Sequence, residues 1–110
     1  MEYKNIYFIG IGGIGMSNLA RYFLSKGKRV GGYDRTETLL TDTLCKEGAL
    51  VHYADSVALV PEDFKDNKNT LVVYTPAVPA THSELNWFNK NDFKVIKRAQ
   101  LLGKITKSSY

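Results

Sequence analysis

Cysteine and histidine are scarce in this chain of 110 residues, which contains one cysteine, Cys45, and two histidines, His52 and His82. A single cysteine excludes an internal disulfide framework and is typical of a reducing compartment. The histidines are far apart, with no cysteine or carboxylate at ligand spacing, so we expect no protein-built metal site. We expect His52 to be a packed or edge histidine within a strand and His82 to be exposed in a loop, and we assign neither a catalytic role.

Long hydrophobic runs are also missing, since no stretch approaches the roughly twenty apolar residues that a membrane span requires. The N-terminus, MEYKNIYFIG, contains an acid and no small-residue cleavage pattern, so we infer no signal peptide and expect a cytoplasmic protein. The net charge of +4 is distributed along the chain, without a basic stripe interleaved with aromatic residues. We therefore expect neither a membrane nor a nucleic acid as a partner.

Two catalytic loops are absent as well. The chain has no G-x-S-x-G nucleophile elbow, and Cys45 lies in a predicted helix with no base near it in sequence, so nothing indicates nucleophilic catalysis. The stretch GKIT at 103–106 lacks both the upstream glycine of an ATP-binding loop and the Ser or Thr directly after the lysine. We expect no catalytic residue and no ATP site in these 110 residues.

What the chain does contain is an alternation of strand-like and helix-like segments. Strands are predicted over 5–11, 28–34, 50–53, 70–75 and 93–97. Helices are predicted from Ile14 to a stop at Gly27, over 36–49 from a Thr36 cap, after a cap near Thr81 or Ser83, and from Arg98. The alternation predicts one α/β domain over 1–110, a Rossmann-like, open, mainly parallel five-stranded sheet with helices on both faces.

Two of the predicted helices have a side that we expect to face the core. In the helix over 36–49 this side carries Leu39, Leu40, Thr43 and Leu44. In the helix that follows the two prolines of PAVP it carries Leu85 and Phe88, with Trp87 as a further candidate.

The most informative motif is Gly10-x-Gly12-x-x-Gly15, which follows a predicted strand and opens a predicted helix. Gly10 suits a tight turn, Gly12 permits a pyrophosphate to approach the backbone, and Gly15 permits close packing of the helix on the strand. Helix N–H groups and the helix dipole then favour an anion, to which Ser17 would add a hydroxyl. The alternative is a glycine-rich turn with a structural role alone.

Two further segments end at the same carboxyl edge of the predicted sheet. Asp34 follows the second strand, where it would accept hydrogen bonds from a ribose or a base N–H, or would cap the next helix. Its neighbour Arg35 would contact a base or phosphate, or remain exposed. After the fourth strand, Thr75, Ala77 and Val78 would line a nucleotide pocket, unless the two prolines there only end the strand.

Four stretches, FIGIGGIGMSNLA (8–20), VGGYD (30–34), VVYTPAVP (72–79) and VIKRAQLL (95–102), resemble the N-terminal domain of the Mur ligases over nearly the whole chain. The likeness is to the members that add L-alanine to UDP-N-acetylmuramate, and the member that recycles a muramyl tripeptide is a near alternative. It implies an ATP- and Mg²⁺-dependent amide ligase of peptidoglycan precursor synthesis. ATP, metal and alanine sites are implied in further domains after Tyr110, so this chain is expected to bind but not to catalyse.

The resemblance also implies a set of contacts with the UDP part of the substrate. The residues implied to contact the pyrophosphate are Gly10, Ile11, Gly12, Gly13, Ile14, Gly15, Met16 and Ser17. The residues implied to contact the uridine are Asp34, Arg35, Thr75, Pro76, Ala77 and Val78. The chain departs from the family pattern where Gly-His is replaced by Ala54-Asp55, and where Arg-Ala-Glu is replaced by Arg98-Ala99-Gln100.

Two other classes of function fit the same motif. One is the cofactor domain of an NAD(P)-dependent oxidoreductase, for which Asp34 is well placed although no residue suggests hydride chemistry. The other is a regulatory or structural α/β module that senses a nucleotide or docks a partner.

Overall fold

Five parallel strands form an open sheet with the order β3-β2-β1-β4-β5. The structure, a computed structural model, describes residues 3–108 and the side chains of residues 3–105. In chain order the elements are β1 (Asn5–Ile9), α1 (Ile14–Ser25), β2 (Arg29–Tyr33), α2 (Leu39–Lys46), β3 (Leu50–His52), β4 (Thr70–Tyr74), α3 (Ser83–Lys90), β5 (Lys94–Lys97) and α4 (Arg98–Ser108). Two 3₁₀ turns, Val57–Leu59 and Glu62–Lys65, connect β3 to β4. The predicted α/β class and the five strands are confirmed.

Successive residues of β1 serve two separate cores, because side chains alternate between the faces of a strand. Ile6 and Phe8 pack on one face with α1 and with Leu101 of α4. Tyr7 and Ile9 pack on the other face with α3 and the second 3₁₀ turn. All four β1 side chains are fully buried. Helices therefore cover both faces of the sheet, as predicted.

The order of the strands creates a crevice at one point of the sheet. From β1 the chain moves outward to β2 and β3, and it then returns to the other side of β1 to form β4 and β5. The connections that leave β1 and β4 consequently run to opposite faces of the sheet. Ligands of open α/β sheets bind at the carboxyl ends of the strands at such a switch point.

Helix α2 differs from its prediction in both its start and its buried side. It begins at Leu39, and Thr38 rather than Thr36 caps it, in a reciprocal pair of hydrogen bonds with Thr41. Thr41 and Leu44 face the core, while Leu39, the first residue of the helix, is 86% exposed. Thr43 is also exposed, so only part of the predicted buried side is correct.

The start of α3 also differs from its prediction. His82, rather than Thr81 or Ser83, caps this helix by accepting a hydrogen bond from the Leu85 N–H. The expectation that His82 is exposed is wrong, since only 6% of it is accessible. Leu85 and Phe88 face the core as predicted. Within the described residues, no helix has the length and apolar character needed to cross a bilayer.

Candidate functional site

The turn between β1 and α1 presents main-chain N–H groups at the crevice. Gly10 has a φ of +93°, a left-handed conformation that glycine adopts without strain. The N–H groups of Gly10 and Ile11 donate to the Tyr33 carbonyl oxygen at 2.7 and 3.0 Å, which ties this turn to the end of β2. Helix α1 then begins at Ile14 with no side-chain cap and no acidic residue in its first turn. Its N-terminus is therefore suited to an anion.

Gly12 lies against the carboxylate of Asp34. The Gly12 N–H donates to Asp34 Oδ2 at 2.8 Å, and the Thr36 N–H donates to Asp34 Oδ1 at 3.1 Å. A Cβ added at Gly12 would lie 2.7 Å from Oδ2, so the absence of a side chain makes this close approach possible. The carboxylate thus occupies space that the sequence assigned to a pyrophosphate, and a pyrophosphate contact at Gly12 remains a prediction.

Gly15 makes room for a side chain from the other end of the domain. A Cβ added there would lie 2.5 Å from atoms of the Arg98 guanidinium group. The sequence assigned Gly15 to packing of the helix on the strand, but the neighbours nearest to its missing Cβ all belong to Arg98. The Nε atom of Arg98 is buried and has no hydrogen-bond partner.

A cavity of about 560 Å³ lies beside this turn at the carboxyl ends of β1, β2 and β4. Its volume is in the range of small-molecule sites in proteins. Its walls are formed by the glycine turn, by the ends of β2 and β4, and by the loops after β3 and before α3. They are Gly10, Gly13, Met16, Tyr33, Asp34, Arg35, Asp55, Thr75, Ala77, Val78, Pro79, Thr81 and His82.

The wall near α3 contains a carboxylate and an imidazole in contact. Asp55 Oδ1 lies 3.2 Å from His82 Nδ1. The Ser83 N–H donates to Asp55 Oδ2 at 2.8 Å, and the Glu84 N–H donates to Oδ1 at 3.0 Å. Burial by itself would raise the pKa of the Asp55 carboxyl, but the hydrogen bonds from these two N–H groups, together with the adjacent His82 imidazole, outweigh it and lower the pKa below its ordinary value. Asp55 is therefore a fixed negative charge on this wall.

Tyr33 lines the same part of the cavity. Its ring meets the His82 ring edge to face, with the ring centroids 4.7 Å apart. Burial, followed by the charges of Asp55 and Asp34, raises the pKa of the Tyr33 hydroxyl. Tyr33 therefore offers the cavity an aromatic surface and a hydroxyl that stays protonated at neutral pH.

Behind this wall, a buried carboxylate holds α3 against the sheet. Glu84 is 0% exposed, and it accepts hydrogen bonds from the Tyr7 hydroxyl and from the Ser56 N–H. The Nε2 atom of His52 lies 2.7 Å from Oε2 of Glu84. Burial, and then the charge of Glu84, raises the pKa of Tyr7 well above its ordinary range. His52 is packed on the edge strand β3, as the sequence predicted.

The structure brings most of the predicted site residues to one cavity and leaves the others outside it. Gly10, Gly13, Met16, Asp34, Arg35, Thr75, Ala77 and Val78 line it, whereas Ile11, Gly12, Ile14, Gly15, Ser17 and Pro76 do not. The Ser17 hydroxyl is buried and donates to the Ile14 carbonyl oxygen at 2.9 Å. Asp34 lines the cavity and does not cap α2, whose cap is Thr38.

Sequence reasoning missed Tyr33, Asp55, Pro79, Thr81 and His82 among the lining residues. Tyr33 directly precedes Asp34 at a strand end, so its position offered a signal. The departure from the family pattern at Ala54-Asp55 was another signal, because Asp55 now supplies charge to the wall. Nothing in the local sequence indicated that His82 is buried.

Comparison with known proteins gives a consistent result. The sequence pattern described as Mur ligase family, catalytic domain, matches residues 5–110. The chain is 64% identical over 104 residues to the UDP-N-acetylmuramate–L-alanine ligase of Parabacteroides distasonis, covering 94% of this chain and 22% of that protein. It is 53% identical over 109 residues to the ligase of the same name from Flavobacterium psychrophilum, covering 99% and 24%.

A solved structure agrees with these sequence matches. The UDP-N-acetylmuramate-alanine ligase of Thermotoga maritima superimposes with a TM-score of 0.83 and 30% identity, covering 94% of this chain and 23% of that one. The chain thus spans about a quarter of the length of its relatives. A pattern that matches nearly every residue, together with this superposition, shows that the chain belongs to the Mur ligase family.

Proposed function

We propose that this chain binds the UDP part of UDP-N-acetylmuramate, as the N-terminal domain of a ligase that adds L-alanine to that substrate. The observation that carries the proposal is the cavity at the switch point, which joins the uncapped start of α1 to the carboxylate of Asp34. The names of the most similar relatives favour this function over the recycling ligase and over an NAD(P)-dependent oxidoreductase.

The proposed pose follows from the charges around the cavity. The diphosphate would lie at the start of α1, because N–H groups and the helix dipole stabilise anions there. Asp34 would face the ribose or the uracil N–H, since a carboxylate that already accepts two backbone hydrogen bonds retains further lone pairs. Thr75, Ala77 and Val78 would form the rim around the uridine, and the predicted contacts of Arg35 and Pro76 belong to the same pose.

ATP and Mg²⁺ belong to this proposal only for the whole protein. Among the residues that the structure describes, no group of His, Cys, Asp and Glu could hold a metal ion. The sequence printed here also lacks a Gly-Lys-Ser/Thr loop for ATP phosphates. These residues do not fit either group, so we assign them substrate binding and no chemical step. The central and C-terminal domains of the whole protein, acting in the cytoplasm, would supply the ligase reaction.

Calorimetry on this chain tests the proposal with UDP-N-acetylmuramate and NADH as competing ligands. The informative variant is Gly13→Ala, because Gly13 lines the cavity and a Cβ there meets only the Gly10 carbonyl oxygen, at 3.7 Å. The variant should fold normally but place a methyl group in the proposed diphosphate position. Crowding of about 1–3 kcal/mol corresponds to affinity reduced about 5- to 150-fold.

The matched control is Gly103→Ala, since a Cβ at Gly103 has no neighbour within 4 Å. It should leave the affinity for UDP-N-acetylmuramate unchanged. Saturable binding of NADH with no heat from the UDP-sugar would instead establish the oxidoreductase alternative. Equal affinities for the two alanine variants would show that the start of α1 does not hold the ligand.

A further inference from the structure

Arg98 lies at the start of a helix, where a cation is unfavourable without an anion beside it. Its side chain makes no hydrogen bond or ion pair with the residues that the structure describes, and its Nε atom is buried. Its guanidinium group packs over Gly15, in the first turn of α1. That turn is the positive end of the α1 dipole and contains no acidic residue.

The start of α4 adds to this positive region. Arg98 is the first residue of α4, whose first turn also lacks an acid. The Lys97 N–H donates a hydrogen bond to Gln100 Oε1 at 2.8 Å. The side chain that accepts at this helix start is therefore a neutral amide and not a carboxylate. The guanidinium group thus lies at the start of α4 and over the start of α1, neither of which has an acidic residue in its first turn, and the nearby Asp34 carboxylate accepts from the Gly12 N–H just before α1.

The position of the Arg98 guanidinium group depends on the missing side chain of Gly15. A Cβ at Gly15 would approach the Arg98 Cζ, Nε and Nη2 atoms to 2.5 Å, so glycine is required for this position of the arginine. Gly13 and Met16, on either side of Gly15 in the chain, both line the cavity. Neither Gly15 nor Arg98 lines the cavity, so the guanidinium group lies beside the start of α1, just outside the wall to which Gly13 and Met16 belong.

We infer that Arg98 binds a phosphate group of the nucleoside diphosphate, as a residue that selects diphosphate ligands over their uncharged nucleosides. This inference rests on the proposed function and adds a cationic side chain to the main-chain donors at the start of α1. A guanidinium group offers a fork of N–H donors that matches phosphate oxygens. The bound phosphate would also compensate the positive ends of α1 and α4.

The test compares UDP with uridine on the 110-residue chain and on Arg98→Met, which keeps the aliphatic stem and removes the charge. A hydrogen bond to a charged group contributes about 1.5–3 kcal/mol, so UDP affinity should fall about 10- to 100-fold. Uridine affinity should change less than about twofold. The control is Lys97→Met, which removes the same charge from an exposed neighbour and should leave the UDP-to-uridine ratio unchanged.

A second variant covers the case in which Arg98→Met does not fold. Gly15→Ala keeps the arginine but displaces its guanidinium group, and it should produce the same selective loss of UDP. In the double variant the two losses should not add, because both remove one contact. If the unaltered chain binds neither UDP nor uridine, the proposed function and this inference are both wrong. If it binds UDP and Arg98→Met binds UDP equally well, the inference alone is wrong.

Discussion

The two walls of the cavity are built in different ways. The wall at the glycine turn uses main-chain groups from a stretch contiguous in sequence, between the end of β1 and the start of α1. The wall near α3 uses the side chains of Tyr33, Asp55 and His82, which come from the end of β2, the loop after β3 and the loop before α3. Behind the second wall lies the buried carboxylate of Glu84. The first wall depends on the absence of side chains, whereas the second depends on hydrogen bonds between distant ones.

Glu84→Gln should be the most damaging change to the wall near α3. The variant removes a charge that is fully buried and paired with His52, with further donors from Tyr7 and Ser56. Breaking a buried pair on one side costs about 3–5 kcal/mol of unfolding free energy. Urea denaturation followed by circular dichroism measures the loss.

Glu62→Gln is the matched control, because this side chain is 89% exposed in its ion pair with Lys65. It should change the unfolding free energy by less than about 1 kcal/mol. Equal effects of the two variants would show that Glu84 does not hold α3 to the sheet.

Gly12→Ala tests the wall at the glycine turn. The added Cβ would lie 2.7 Å from Asp34 Oδ2 and 3.0 Å from Thr41 Cγ2, so the carboxylate must move and lose its hydrogen bond from Gly12. Crowding of this kind costs about 1–3 kcal/mol of unfolding free energy. Thermal unfolding measures it, and Gly13→Ala, with only a 3.7 Å contact, serves as the control expected to show no loss. An unchanged unfolding temperature for Gly12→Ala would mean that the close contact between Gly12 and the Asp34 carboxylate does not stabilise the fold.

Asp55→Asn should have a smaller effect, and one that depends on pH. The folded state lowers the pKa of the Asp55 carboxyl below its ordinary value, so the charged form stabilises the fold. This contribution is fully present above the unfolded pKa, and it is lost as the pH falls through the folded pKa. The unfolding free energy of Asp55→Asn should therefore lie below that of the unaltered chain at pH 7, and the difference should shrink below about pH 4.

Denaturation curves recorded from pH 7 down to pH 2.5 measure this difference. Asp63→Asn, on the surface beside Arg29, is the control and should cost less than about 1 kcal/mol at pH 7. A difference for Asp55→Asn that stays constant down to the lowest pH would contradict the stabilising role of its charge.

The sequence was sufficient where a feature depends on neighbouring residues. The β1 strand, the turn at Gly10 and the start of α1 follow from one run of apolar residues and glycines, and the structure has them as predicted. Asp34 lines the cavity because it follows a parallel strand, and such strands end at one edge. Which ligand these residues hold stays a prediction.

The sequence was insufficient where a feature depends on which distant side chains meet. Asp55 and His82 are brought together only when the loops after β3 and before α3 pack against each other, and no periodic pattern records that contact. The same holds for Gly15, whose missing side chain accommodates Arg98 from the far end of the chain. The buried side of α2 was misjudged because an apolar residue, Leu39, is exposed at the start of the helix, while a polar one, Thr41, is buried with its hydroxyl bonded to the Thr38 carbonyl oxygen.

The place of β1 in the middle of the sheet has a consequence for the order of folding. Its residue Asn5 pairs with Arg29 on one side but with Thr70 on the other, so β1 completes its hydrogen bonding only after a long loop has closed. Such closure costs chain entropy and slows folding. During synthesis, β1 and β2 can pair while β1 still has an open edge, until β4 leaves the ribosome. The cavity at the carboxyl ends of β1, β2 and β4 is therefore completed late. A ligand held there would stabilise the last part of the domain to assemble.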